Sequence, residues 1–408
     1  MTELTLKVTD MAHGGTAIGR DENGRPHFIP FTIPGETVRI RVTAEKKQYY
    51  RAELLEVLKP SPDRISARCP HFGPCGGCHF QHMTYERQLQ AKQGVVRDQL
   101  HRIGGFKNVV VQPIIPHLTP WQYLNDIEFS PVEDGRLGFW SPSQKQVIPI
   151  NECHIIHGDL EALFHDIDLD LPDLRKITLR RGSDKAMLAA LEVNDVEPPQ
   201  LETDFPVSVA IVLPDKTAAS LIGDTYLIRS VKGRHFRVSP GCFFQPGSAD
   251  ALIDTLLDYA QLSGTETVID AYSGVGTFTA FLADKAANVL GIEVNGDAVA
   301  DTAVNLHHTN NVSLYEGWVE DILPALNVKP DLIVLNPPSQ GLSRDALRAV
   351  LAKAAERLII ISSDIATLAR DGKQFAKAGY KLAAIQPVDL HPQTFHVDTI
   401  SLWISSGK

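Results

Sequence analysis

The sequence predicts an α/β protein in three parts: an N-terminal OB-like β-barrel, a mixed α+β centre, and a C-terminal doubly wound sheet. Three observations carry this. At 408 residues the chain exceeds what one compact core holds, so two or three domains are expected. Residues 1–59 alternate short β runs with turn signals. From about residue 236 the pattern becomes strand–loop–helix, the mark of a doubly wound sheet. The expected boundaries are therefore 1–60, 61–235 and 236–408.

In chain order, "LTLKVTDM", "AIGRDENGRPHFIP" and "ETVRIRVTAEKKQYYRAELLEVL" read as strands, with "DENG" as a hairpin turn. Lys and Arg lie mostly on one strand pair, which suits a nucleic-acid platform as well as a plain β domain. "YERQLQAKQGVVRDQLHRI", residues 85–103, has helical periodicity. Residues 105–235 read as mixed β and short helix without a strong motif. "TVIDAYSGVGTFTAFLA" is then a buried strand, a Gly-rich turn and a helix, and "ANVLGIEV" is a second strand ending near Glu293. "DLIVLNPPSQG" and "RLIIISS" are two more strands. The closing "YKLAAIQPVDLHPQTFHVDTISLWI" reads as a hairpin.

Composition is ordinarily globular, with 43% hydrophobic and 22% charged residues. No apolar run approaches the roughly 20 residues of a membrane span, so no membrane partner is expected. "MTELTLKVTD" lacks the basic-then-apolar pattern of a signal peptide, so a cytoplasmic protein is expected. The net charge of −10 argues against a generic nucleic-acid coat, but it is unevenly spread. Residues 1–110 hold 16 Lys and Arg against 11 Asp and Glu, which leaves the remainder at −15. A basic N-terminal third is compatible with phosphate contacts, and equally with a solvated surface.

Three of five cysteines, Cys69, Cys75 and Cys78, cluster in "CPHFGPCGGCHF". Gly and Pro there let thiolates converge, and a cytosolic chain favours metal over disulfide. Cys153 in "INECHII" is a better fourth ligand than Cys242. Zinc and a [4Fe–4S] cluster both accept four thiolates, and the spacing departs from paired C-x2-C zinc ribbons, which favours the cluster. His71, His79 and His82 are read as packing or surface residues.

In "DAYSGVGTF", Gly274 and Gly276 let the backbone approach a ligand at a strand end. Glu293 lies 17 residues beyond Gly276, where a carboxylate can accept both ribose hydroxyls. Two glycines after Asp270 suit S-adenosyl-L-methionine better than a dinucleotide, and Asn336-Pro337-Pro338 turns at a third strand end. "LIIISSDIATLARD" ends a fourth strand on Ser362 and Ser363, with Asp364 as a natural helix N-cap.

Together these motifs resemble the uracil-5 RNA methyltransferase family, which forms 5-methyluridine in tRNA and 23S rRNA, over nearly the whole length. "GCFFQPG", "AYSGVGTF" and, in order, "TLARD", "GY", "PVD", "PQT" and "HVD" carry the resemblance. It implies a TRAM domain at the N-terminus and a Rossmann-like class I methyltransferase domain at the C-terminus. Cys69, Cys75, Cys78 and Cys153 match the ligands of a [4Fe–4S] cluster. Gln245, Tyr272, Gly274, Thr277 and Asn336 would meet S-adenosyl-L-methionine, with Glu293 on its ribose. The expected partner is structured RNA, rRNA or tRNA, bound by a monomer. Family chemistry adds a Cys thiolate to uracil C6, so that C5 attacks the methyl sulfonium and a carboxylate-assisted base then removes the C5 proton.

The nucleophile position, aligned on "ATLARD", is Ser363, and no cysteine follows Cys242. The base position, Glu in the family, is Asp398. Asn336 and Ser339 stand where the family has Asp and Arg, and Trp318 replaces an acid. An alcohol needs an adjacent base where a thiol does not. Three readings follow: methylation of a different RNA atom, a catalytically silent RNA-binding homologue, and, last, a uracil enzyme using Ser363. "NPPS" imperfectly resembles the turn of exocyclic-amine methyltransferases, whose aromatic is missing at Ser339.

Overall fold

The computed structural model describes residues 2–167, 171, 173–194, 206–213, 218–245 and 249–407. Pro246 and Gly247 of the "GCFFQPG" segment lie outside them. The N-terminal strands β1 (Glu3–Met11), β2 (Ala17–Arg20), β3 (Pro26–Ile29), β4 (Thr37–Glu45) and β5 (Tyr50–Lys59) close into a barrel of order β1-β2-β3-β5-β4. Alternate residues point inward, so Leu6, Val8, Ile29, Val38, Ile40 and Ala52 fill it. The basic strand pair is present, and part of its charge is neutralised within the barrel. Arg39 and Arg41 on β4 pair with Glu3, Glu53 and Glu56.

Helix α1 (Tyr85–Gln99) runs into a π-helical turn, Leu100–Gly104. Its buried stripe holds Val95 and Val96, but also Gln88, Lys92 and Gln99. The centre contains β6 (Asp126–Pro131), β7 (Leu137–Ser141), β8 (Gln146–Pro149), α2 (Gly158–Asp166), β9 (Leu174–Arg181), β10 (Met187–Val193), β11 (Val207–Val212) and β12 (Ala218–Ile222). These strands form one seven-stranded sheet, β12-β11-β10-β9-β6-β7-β8. Leu160, Leu163 and Phe164 of α2 pack with Phe129, Ile177 and Leu179 of that sheet.

A hairpin of β13 (Leu227–Val231) and β14 (Arg234–Val238) follows. The expected boundary at 235 falls inside β14, whose Phe236 and Val238 pack into the C-terminal core. The remaining elements are α3 (Asp250–Ala260), β15 (Thr267–Ala271), α4 (Thr277–Ala283), β16 (Asn288–Glu293), α5 (Gly296–Asn305), β17 (Val312–Glu316), α6 (Val319–Ala325), β18 (Leu332–Leu335), α7 (Arg344–Ala352), β19 (Arg357–Ser362), α8 (Ile365–Lys377), β20 (Tyr380–Val388) and β21 (Asp398–Ser405). The sheet order is β17-β16-β15-β18-β19-β21-β20. Strands β17 to β19 run parallel, and the closing hairpin is antiparallel as expected. Apolar residues of both sheet faces are covered, which explains the unbroken runs "LIVL" and "LIII". No helix among the described residues is long and apolar enough to cross a membrane.

Candidate active site

The carboxyl ends of β15, β16 and β18 lie side by side, where an open α/β sheet binds ligands. After β15 the backbone turns sharply: Tyr272, Gly274 and Gly276 have φ of 63°, 57° and 82°. At Gly276 a Cβ would meet the Thr302 Cγ2 at 2.6 Å, so glycine is required by space as well as by conformation. Thr277 opens α4 behind this turn. Glu293 ends β16, and three backbone amides hold its carboxylate. Gly274 N–H donates to Oε2 at 2.9 Å, while Val294 and Asn295 N–H donate to Oε1 at 2.9 Å each. Lone pairs remain for ribose hydroxyls.

Asp270 lies beneath the turn with no exposure. Its Oδ2 accepts the Thr279 hydroxyl at 2.6 Å, and its Oδ1 has no partner. Burial, reinforced by the nearby Glu293 charge, pushes its carboxyl up to about 7 against the Thr279 hydrogen bond. Asn336 follows β18, and its N–H reaches the Ala271 carbonyl at 3.3 Å. Exposed Trp318 follows Gly317, whose N–H donates to the Glu293 carbonyl at 2.8 Å. Tyr272, Gly274, Thr277, Glu293 and Asn336 thus share one edge. Gln245 is buried after core residue Phe244, and among the described residues its side chain makes no hydrogen bond to the glycine turn.

The second half of the site follows β19. Ser362 Oγ donates to the Asp364 carbonyl at 2.9 Å, leaving Ser363 exposed at the tip. Asp364 caps α8 as expected, its Oδ1 accepting Thr367 N–H at 2.8 Å. Its Oδ2 meets the Nε2 of His13, from the turn between β1 and β2, at 3.1 Å. Burial would raise the Asp364 carboxyl, but the His13 ring and the Thr367 and Ala366 amides outweigh it and hold it below its ordinary value. Among the described residues, the Ser363 hydroxyl has no hydrogen-bond partner.

Ser363 lines a cavity of about 290 Å³ together with Cys69, Cys75, Cys78 and Cys153. Cys153 is brought to the loop by the turn before α2, and Cys242 is elsewhere, beside Asp301. All five thiols are free, and burial pushes Cys78 and Cys153 up to about 12. Among the described residues, no group of three or more His, Cys, Asp or Glu is arranged to hold a metal ion. His79 is packed edge-on against Phe395, and buried His82 lies 3.4 Å from the Thr32 carbonyl. The Asn151 amide donates to His71 at 3.1 Å.

Asp398, the first residue of β21, is 3% exposed, and its Oδ2 accepts no hydrogen bond. Burial pushes it up to about 7, with Lys92 opposing and Asp389 adding to the rise. His391 Nε2 stands 3.5 Å from that oxygen. Beside it lies a buried network absent from the sequence reading. Lys92 donates to Asp389 Oδ1 at 2.6 Å and to the His391 carbonyl at 2.9 Å, and Tyr85 donates to Asp389 Oδ2 at 2.9 Å. Polar residues on the apolar stripe of α1 were the signal for it. Arg180 was missed too. Buried among the carbonyls of Ser239, Pro240 and Cys242, it fixes the loop that leads to Gln245.

Residues 2–55 match the TRAM domain and residues 235–362 the methyltransferase small domain. An uncharacterized RNA methyltransferase of Halalkalibacterium halodurans is 32% identical, covering 98% of this chain and 96% of that protein. Another from a Nostoc species is 32% identical, covering 99% and 97%. The fold is similar to that of the tRNA (uracil-54, C5)-methyltransferase of Pyrococcus abyssi in complex with S-adenosyl-L-homocysteine. That likeness has a TM-score of 0.73 at 21% identity and covers 98% of this chain and 100% of the other. With its N-terminal TRAM domain and its end-to-end likeness to these bacterial proteins, the chain belongs to the RNA methyltransferase family.

Proposed function

We propose that the chain binds S-adenosyl-L-methionine at the carboxyl edge of β15, β16 and β18 and methylates structured RNA, rRNA or tRNA, at an atom other than uracil C5. The scaffold is of the uracil-5 type; the activating side chains are not. S-adenosyl-L-methionine supplies an electrophilic methyl group. Glu293 would hold its ribose, the Gly274–Gly276 turn would admit its backbone-facing side, and Tyr272, Thr277, Gln245 and Asn336 would complete the pocket. Calorimetry should register binding that weakens in Glu293→Ala; a wild type that binds nothing would refute the pocket.

One observation carries the choice of target. Among the described residues the Ser363 hydroxyl has no hydrogen-bond partner, and the adjacent Asp364 carboxylate is engaged by Thr367 and His13 and held below its ordinary value. Without an activated nucleophile, covalent addition to uracil C6 has no starting point. Asn336, at the end of β18, offers an amide that can accept from an exocyclic amine without covalent help.

Cys69, Cys75, Cys78 and Cys153 suit a [4Fe–4S] cluster. What supports this reading is that all four line one cavity, a set of thiolates that such a cluster accepts. Such a cluster would staple the cysteine loop against the sheet carrying Ser363. Anaerobically purified protein should carry iron and acid-labile sulfide, and stoichiometric zinc without sulfide would refute this.

Mass spectrometry of rRNA and tRNA nucleosides from a deletion strain tests the whole reading. Loss of one methylated nucleoside other than 5-methyluridine is expected. Loss of 5-methyluridine would overturn the choice of target, and an unchanged profile would leave a silent RNA-binding homologue.

A further inference from the structure

The acidic C-terminal domain is not acidic everywhere. Residues 236–340 carry 3 Lys and Arg against 13 Asp and Glu, whereas residues 341–381 carry 8 against 4. The fold gathers much of this positive charge on the facing sides of α7 and α8. Between them runs a groove of about 760 Å³, lined by Arg344, Arg348, Arg370 and Lys377 around Leu347, with Asp371 as its one acid. Arg344 and Lys377 are exposed and have no carboxylate partner among the described residues. Among the described residues Arg348 pairs only with Asp345, both more than 70% exposed, an arrangement that exchanges readily for another anion.

One end of this groove is fastened to the candidate active site. Arg370 donates to the Gln340 carbonyl at 2.9 Å, and Leu342 N–H donates to Asp371 at 2.9 Å. The Thr367 hydroxyl donates to the Ser339 carbonyl at 3.1 Å. The turn bearing Asn336 and the helix capped by Asp364 are thereby joined where the groove begins. Arg370 itself is paired with Asp371 at 2.8 Å, so among the described residues the groove's unpaired cations are Arg344 on α7 and Lys377 at the far end of α8. The barrel, by contrast, has neutralised Arg39 and Arg41 with its own glutamates.

We propose that the groove between α7 and α8 carries the phosphate backbone of the RNA whose target nucleotide enters the active site. This rests on the reading of the chain as an RNA methyltransferase. The occupant is a polyanion because free and exchangeable cations, with an apolar floor, line a groove on an otherwise anionic domain.

Fluorescence anisotropy of a labelled stem-loop RNA across a KCl series, with the full-length holoprotein, tests it. Arg344→Glu/Lys377→Glu should weaken binding at least about tenfold at low salt. It should also flatten the log K against log salt slope by about 1.5, from roughly 0.7–0.9 per phosphate contact. The neutral pair Arg344→Gln/Lys377→Gln should show the same change in part, with thermal midpoint and S-adenosyl-L-methionine binding unmoved. Arg39→Gln/Arg41→Gln on the barrel should change little. Unchanged affinity and slope in the α7–α8 variants, or a larger effect from the barrel pair, would overturn the groove while leaving the RNA reading intact. A wild type with no salt-dependent RNA binding would bring down both.

Discussion

Ser363 and Asp398 occupy neighbouring roles with opposite problems: one is exposed and unassisted, the other buried and unpaired. Restoring a thiol at Ser363 supplies a nucleophile that is a few per cent ionised at neutral pH. Ser363→Cys should therefore form an adduct with 5-fluorouridine-containing RNA in the presence of S-adenosyl-L-methionine, seen as a shift on a denaturing gel. The wild type should form none, and an adduct that disappears in Ser363→Ala would show serine to be a working nucleophile. Asp398 bears on stability. Its carboxyl is raised to about 7 in the fold, so the folded state keeps a proton that the unfolded chain releases near pH 4. The stability linked to this group is full below about pH 4 and is lost as pH rises through about 7. Asp398→Asn, neutral at every pH, should be more stable than wild type at pH 8 by a few kcal/mol, and gain nothing at pH 4. Urea unfolding at both pH values measures it, and a difference independent of pH would refute the buried, protonated state.

Helix α8 shows what an element's own sequence can and cannot disclose. Asp364 is legible as an N-cap because capping is local: a short acceptor reaches an amide three residues on. Its second partner, His13, lies 351 residues earlier, and no periodicity or spacing marks it. The two roles are separable. Asp364→Ser keeps an acceptor for Thr367 while losing reach to His13, and Asp364→Ala loses both. Alanine should cost about 1 kcal/mol of stability and serine only a few tenths. Equal losses in thermal unfolding would mean that the His13 contact, not the cap, dominates. The strand ends bearing Gly274, Glu293, Asn336 and Ser363 were legible for the same reason as the cap, because buried parallel strands leave unbroken apolar runs. The central sheet was not, since β9 to β12 obey no single motif and their order is set by pairing across distant segments. The barrel's basic strands were legible as charge, but their pairing with Glu53 and Glu56 depends on cross-strand register.

Across the whole molecule, α1 acts as a clasp. It belongs to the chain before the central sheet, yet its polar side chains end in the C-terminal loop. Gln88 exchanges hydrogen bonds with Gln393, and Lys92 ion-pairs with Asp389. That loop also carries His391, Thr394 and His396, which line the cavity shared by the four cysteines and Ser363. Both charges of the pair are fully buried. Removing Lys92 alone would strand Asp389 in the interior with only the Tyr85 hydroxyl, the His391 amide and nearby groups to hold it. Lys92→Met should thus cost about 3–5 kcal/mol, the usual penalty for breaking a buried pair from one side. Lys92→Met/Asp389→Leu removes both charges and should recover a large part of that loss, because an apolar pair of similar volume avoids the desolvation term. Urea unfolding of the two variants beside wild type measures the difference. A double variant as unstable as the single would mean that the clasp works through the His391 carbonyl and the Tyr85 hydroxyl instead of through charge.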